Sequence, residues 1–261
     1  MSGTSTTVTP TTSWLAHLRR ETERFADVVR ESPLRAHVPA YPDFTVSSLA
    51  AHIGRGLRLF HAIAAGGGEQ PSLEVPEGAD VADWVLAGLG PLVTVLGEIP
   101  PDQLVPFPHD AGDRPAGLIA PLLAVEVGVH RWDVESVLGD HAPIPADLAV
   151  QEVESVFTNF VPRLAGSGVA DIGGTVSLRA TDTPVAWSAQ VSDGRLATER
   201  VPDGPSGAAV TVTGAAQDIA LLVWKRALPP RPELDVAGST QVLKRFLVTD
   251  YIPDPRTTPA H

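Results

Sequence analysis

Three side chains in this sequence have the types and spacing of a metal site. Glu126 and His130 stand four residues apart in the run from Asp113 to Gly139, which is otherwise apolar on almost every face. On a helix that spacing puts both side chains on one face, about one turn apart. A carboxylate and an imidazole in apolar surroundings must be paired, hydrogen-bonded or bound to a cation. From this helix alone, a self-satisfied Glu–His pair and a pair of metal ligands are both open. His52, on a separate expected helix, offers a third donor. Two imidazoles and a carboxylate suit Zn²⁺, and three protein ligands leave a fourth position vacant, as catalytic sites do. Fe²⁺, Mn²⁺, Co²⁺ or Ni²⁺ would accept the same set.

The elements that must position these donors follow from the flanking residues. Asp113 is expected to cap the fourth helix, with Pro115 in its first turn and Gly139 closing it in a left-handed conformation. Thr45 is expected to start the second helix, over Val46 to Ala65, with Leu49, Ile53, Leu59, Phe60 and Ile63 on its apolar side. His52 falls between Leu49 and Gly56 in angle and so points inward, with Gly56 leaving space beside it. His61 is half a revolution away and cannot share a site with it. A first helix from Trp14 to before Ser32, capped by Ser13, and a third from Asp80 to Glu98, kinked at Gly90-Pro91, complete the pattern of a four-helix bundle. Between the first two helices, Pro39 and Pro42 predict an extended loop from Val38 to Phe44. Residues 1–12 read as a disordered Ser/Thr/Pro tail, and Gly66-Gly67-Gly68 as a flexible turn rather than a phosphate loop.

After Gly139 the pattern changes. Asp140 to Pro145 reads as a linker and Ala146 to Leu164 as a fifth helix. Thr175–Ala180 and Val185–Val191 form an expected hairpin, with further strands at Ala209–Thr213 and Leu234–Ala237. Helices are expected from Gly214 to Arg226 and from Ser239 to Val248. The expected architecture is therefore α+β with two domains, a helical bundle over 1–142 and a small α+β domain over 143–261.

Composition narrows the functions. The chain has 261 residues and a formal net charge of -12, which disfavours nucleic acid and anionic membranes as partners. It contains no Cys, so any metal must use His, Asp and Glu, and any thiol must come from outside. No apolar run is expected to span a membrane, and the first ten residues lack the basic and apolar regions of a secretory signal. A cytoplasmic protein, monomeric or homodimeric, is the expectation.

Two segments resemble a known family. Val38-Pro39 through Pro42-Asp43-Phe44-Thr45-Val46 to His52, and Glu126-Val127-Gly128-Val129-His130-Arg131-Trp132-Asp133, are similar to the signatures of the mycothiol-dependent maleylpyruvate isomerase family. The segment from Val210 to Gly238 resembles that family's C-terminal domain. The resemblance implies a DinB-like four-helix bundle followed by a sterol-carrier-like α+β domain. It implies metal ligands at His52, Glu126 and His130, and a functionally important Arg at Arg226. Where such sequences often carry Trp before the Thr of the second helix, this chain has Phe44, with no functional consequence expected.

The implied chemistry is that of a small thiol, here mycothiol, held as thiolate on the metal. It would add to an activated double bond for cis–trans isomerisation of a maleylpyruvate-like substrate, or act in S-transfer. An acidic substrate needs a cation. Arg55, one turn beyond His52, is a candidate, with a solvated helix Arg as the alternative. Arg226 is another, with a helix-dipole partner as the alternative. Arg131 points about 100° away from His130 and reads as structural. Asp133 either accepts the His130 ring N–H or bonds elsewhere. His17, His37, His109, His141 and His261 are expected at the surface. Two other functions stay open: a hydrolase in which the metal activates water, and a non-catalytic small-molecule binding or resistance protein.

Overall fold

A computed structural model of the chain describes residues 11–67, 72–108, 112–160, 169–202 and 204–249. Of the tail expected at 1–12, residues 1–10 lie outside them, as do His109 and His261, whereas Thr11 and Thr12 belong to the first helix. The chain divides into two compact units, Met1–Ala142 and Pro143–His261.

The first unit is built on four helices: α1 (Thr11–Glu31), α2 (Val46–Ala64), α3 (Val81–Glu98) and α4 (Ile119–Leu138). α1 packs along α4 and α3, while α2 packs on α3 and touches α4. Buried residues of α4 lie all round its axis, among them Val125, Val127, Val129, Arg131 and Val134. This is the enclosed helix that its unbroken apolar sequence demands. α2 starts at a reciprocal cap. Thr45 Oγ1 accepts from the Ser48 N–H at 3.2 Å, and Ser48 Oγ accepts from the Thr45 N–H at 2.9 Å. Asp80 caps α3 by accepting from the Asp83 N–H.

Several boundaries differ from expectation. α1 begins at Thr11, so Ser13 lies inside it rather than at its cap. The segment expected as an extended loop is an antiparallel hairpin, β1 (His37–Val38) with β2 (Tyr41–Thr45). Asp113 does not cap α4. Asp113–Pro115 is strand β4, paired with β3 (Leu104–Pro106), and a short 3₁₀ turn at Ala116–Leu118 leads into the helix. α3 has the length and hydropathy of a membrane span, contrary to expectation, yet half of it is buried within the unit.

The second unit opens with α5 (Ala146–Ser155), which continues into a wider turn at Val156–Phe160. Five strands follow: β5 (Val176–Ala180), β6 (Ala186–Ser192), β7 (Arg195–Arg200), β8 (Val210–Gly214) and β9 (Asp235–Gly238). They form one sheet in the order β7-β6-β5-β8-β9, antiparallel except for the parallel pair β5–β8. α6 (Ala216–Val223) and α7 (Thr240–Val248) pack on β5 and β8, and α5 packs on α6. The architecture is a two-domain α+β fold.

Candidate metal centre

The cap at Thr45 fixes the phase of α2 and leaves His52 on the flank that meets α4. There it joins Glu126 and His130. His52 Nε2 lies 3.1 Å from Glu126 Oε1, and His130 Nε2 lies 3.3 Å from the same oxygen. Ligand atoms of all three residues fall within 4.8 Å of one another, and among the described residues no other group of three His, Asp or Glu donors is that close. The two imidazole rings stand nearly perpendicular, with centroids 5.6 Å apart. Access is one-sided. His130 is 8% exposed, whereas His52 and Glu126 keep 37% and 31% of their side chains exposed.

Asp133 is fully buried and its Oδ2 lies 3.0 Å from His130 Nδ1. With the Nδ1 proton donated to that carboxylate, Nε2 of a neutral ring presents a lone pair to the Glu126 carboxylate. Two lone pairs at that distance repel unless a proton or a metal cation lies between them. Without a metal, the proton fills the gap. Burial disfavours a charged His130, but its hydrogen bonds to Asp133 and Glu126 outweigh burial and raise its pKa to about 9. Burial likewise acts to raise the Glu126 pKa, yet its hydrogen bonds to His130 and His52 hold it well below the usual carboxylate range.

The donor set fits a divalent cation. A tetrahedral Zn²⁺ with bonds near 2.1 Å separates its ligand atoms by about 3.4 Å, close to the two spacings observed here. The ring N–H held by Asp133 is the outer hydrogen bond that ligating histidines usually make.

The other residues singled out from sequence are placed as follows. Arg55 follows His52 by one turn of α2, half-buried, with no hydrogen bond or ion pair among the described residues. Gly56 has open space around it, as expected. Arg131 is fully buried on the far side of α4. It donates from Nε to Glu21 Oε2 at 2.7 Å and from Nη1 to Glu135 Oε1 at 2.5 Å. Arg226 lies in the second unit, after the left-handed residue Lys225 (φ 59°), and its Nη1 donates to the Trp224 carbonyl at the end of α6. His17 is not at the surface. It is 3% exposed, against the Trp14 ring. His141 stacks on Trp132, 4.1 Å between centroids.

Two aromatic residues stand against the imidazoles: Tyr41, read from sequence only as part of the extended loop, and Phe44, for which no functional consequence was expected. The Tyr41 ring lies 5.9 Å from that of His130, and the Phe44 ring meets His52 edge-on at 6.5 Å. The signal that could have found them is their place beside the cap Thr45, which sets them at the start of the helix that carries His52.

Residues 15–135 match the family model described as the mycothiol maleylpyruvate isomerase N-terminal domain. Residues 15–135 are thus similar to that family's N-terminal domain. The match contains all three candidate donors. Among solved structures, a mycothiol-dependent maleylpyruvate isomerase aligns with a TM-score of 0.59 at 17% identity, covering 88% of this chain and 93% of that one. A histidine-to-alanine mutant of a mycothiol-dependent maleylpyruvate isomerase aligns with a TM-score of 0.60 at 15% identity, with the same coverage. Both alignments extend into the second unit, so the likeness of fold to these structures covers it as well. Among curated proteins none matches this sequence.

Proposed function

We propose that this chain is a metal-dependent enzyme that uses a low-molecular-weight thiol, mycothiol, for cis–trans isomerisation of a maleylpyruvate-like substrate or for S-transfer. The observation that supports it best is the convergence of His52, Glu126 and His130, from two helices, inside a domain similar to that of the mycothiol isomerase family. A divalent metal such as Zn²⁺, held by His52, Glu126 and His130, would supply the charge that keeps an added thiol as thiolate near neutral pH, the form able to add reversibly to an activated double bond.

The chain's own residues set the conditions for this. His52, Glu126 and His130 are the proposed ligands. Asp133 holds His130 in the tautomer that frees Nε2. The exposed flank formed by His52 and Glu126 leaves room for thiol and substrate. Arg55 offers a charge for a substrate carboxylate, and Arg226 is the second candidate for that role. A metal-bound water would need a separate base. Glu126 is taken up with both imidazoles and Asp133 is buried against His130, so the hydrolase alternative lacks one among these groups. The acidic chain fits small-molecule partners rather than nucleic acid or anionic membranes, and we place it in the cytoplasm as a monomer or homodimer.

The test is metal analysis with thermal denaturation. The purified chain should hold about one divalent ion per protein, and mycothiol should raise the melting temperature of the metal-loaded form by mass action. His52→Ala should lose both the metal and the mycothiol shift. Full metal stoichiometry in His52→Ala would refute the ligand assignment.

A further inference from the structure

The hairpin between α1 and α2 supplies no metal donor, yet it brings two rings to the imidazoles. Tyr41 and Phe44 lie 6.2 Å apart, Phe44 is 6.5 Å from His52, and Tyr41 is 5.9 Å from His130. With the 5.6 Å between the two imidazoles, the four rings close a circuit beside Glu126.

The hairpin is pinned at both ends. Val38 is fully buried. The His37 ring meets the Pro42 carbonyl at 2.5 Å. The N–H groups of Val46 and Ser47 donate to the carbonyls of Ala36 and Leu34, each at 3.0 Å. The Thr45–Ser48 cap then locks the turn into α2. Such a segment is a fixed wall rather than a mobile lid. His130 has no need of it for orientation, since Asp133 already fixes that ring. Nor are the two rings consumed by the core: Tyr41 and Phe44 are only half-buried. A rigid, half-open aromatic surface next to the three candidate ligands is suited to a planar molecule, and Arg55, one turn along α2 from His52, is a candidate partner for its carboxylate.

We propose that Tyr41 and Phe44 are the specificity-determining wall of this site, binding the planar, unsaturated part of the acceptor next to the position of the thiol sulfur. The proposal rests on the thiol-addition function above. Aromatic rings favour flat π-systems through offset-stacked and edge-to-face contacts, and sulfur sits well at about 5 Å from a ring. The wall therefore favours acceptors whose double bond extends into a flat conjugated system over flexible saturated chains of equal length.

The test uses two acids that differ in planarity. Sorbate and hexanoate share chain length and carboxylate, but only sorbate is flat and conjugated. Calorimetry on the metal-loaded full chain should show sorbate binding about fivefold tighter or more, the factor that one added aromatic contact corresponds to. Phe44→Leu and Tyr41→Leu should each bring the ratio close to one, while Phe44→Trp and Tyr41→Phe should keep it. Equal binding of the two acids by the unmodified chain overturns the proposal without need of any variant. So does a preference that survives both Leu substitutions. Metal content, read on the same samples, fails separately: an unmodified chain that holds no metal but still prefers sorbate ends the metal assignment and keeps the wall.

Discussion

His130 is held by two carboxylates at once, Asp133 on Nδ1 and Glu126 near Nε2, and this makes proton and metal direct competitors for one lone pair. With a pKa of about 9 in the metal-free chain, the ring is an imidazolium at pH 7.5 and must lose its proton to ligate. Zn²⁺ binding at that pH should therefore release about one proton from this residue, measured by calorimetry in buffers of different ionisation enthalpy. The same shift gives a sign for stability. A raised folded-state pKa means the metal-free chain keeps this contribution in full below the unfolded value of 6.5 and loses it as pH rises through about 9. The metal-free melting temperature should fall across that window, and the metal-loaded one should not. Asp133→Asn should weaken metal binding by roughly 10- to 100-fold, seen by competition with a chelator. That Glu126 and His130 share one face, and that His52 points inward, was legible in the sequence because helical spacing fixes angle; their grouping as ligands rested on the resemblance. Tyr41 and Phe44 were read only as parts of an extended loop, Phe44 without functional consequence, because two prolines masked a hairpin in which Pro39 lies between two short strands and Pro42 sits in the second.

Two contacts decide how the helices sit around those donors. Arg131 joins α4 to α1 through Glu21 and lies, with Glu135, in the buried interior. Arg131→Met would leave two buried carboxylates without their cation, and should cost about 3–5 kcal/mol in denaturant unfolding. Arg131→Lys should recover only part of this, since one ammonium cannot reproduce the fork to both acids. The second contact is α2 against α3. A Cβ at Gly54 would come within 2.2 Å of the Trp84 ring, whereas one at Gly56 would meet nothing within 4 Å. Gly54→Ala should destabilise the chain by about 1–3 kcal/mol through overpacking. Gly56→Ala, on the same helix, should stabilise it by up to about 1 kcal/mol through helix propensity. A melting comparison of the pair separates packing from propensity. Sequence spacing showed that Arg131 turns away from His130, but not that Glu21, 110 residues earlier, is its partner. That pairing depends on which helices become neighbours.

At the scale of the chain, the helical half was easier to read than the sheet. β7 escaped notice because Arg195–Arg200 is an edge strand with only Leu196 buried, and four of its six residues are polar. Asp113 has the residue type of a helix cap but serves β4, because Leu104–Pro106 lies ready to pair with it. Against this, the three candidate donors, Asp133, the aromatic hairpin and the Arg131 cluster all fall within Met1–Ala142, which is compact by itself. That whole set is built from residues of one unit. A fragment of residues 1–142 should therefore fold and bind one divalent ion with an affinity within about threefold of the full chain, as contacts confined to one independently packed unit require. Its mycothiol-dependent turnover should fall far more if Arg226 takes part, because that side chain is then missing. Equilibrium dialysis for metal and a turnover assay on the same fragment separate the two contributions. An affinity loss of a hundredfold or more would mean that the second domain shapes the ligand set, and the metal centre would then belong to the whole chain rather than to the bundle.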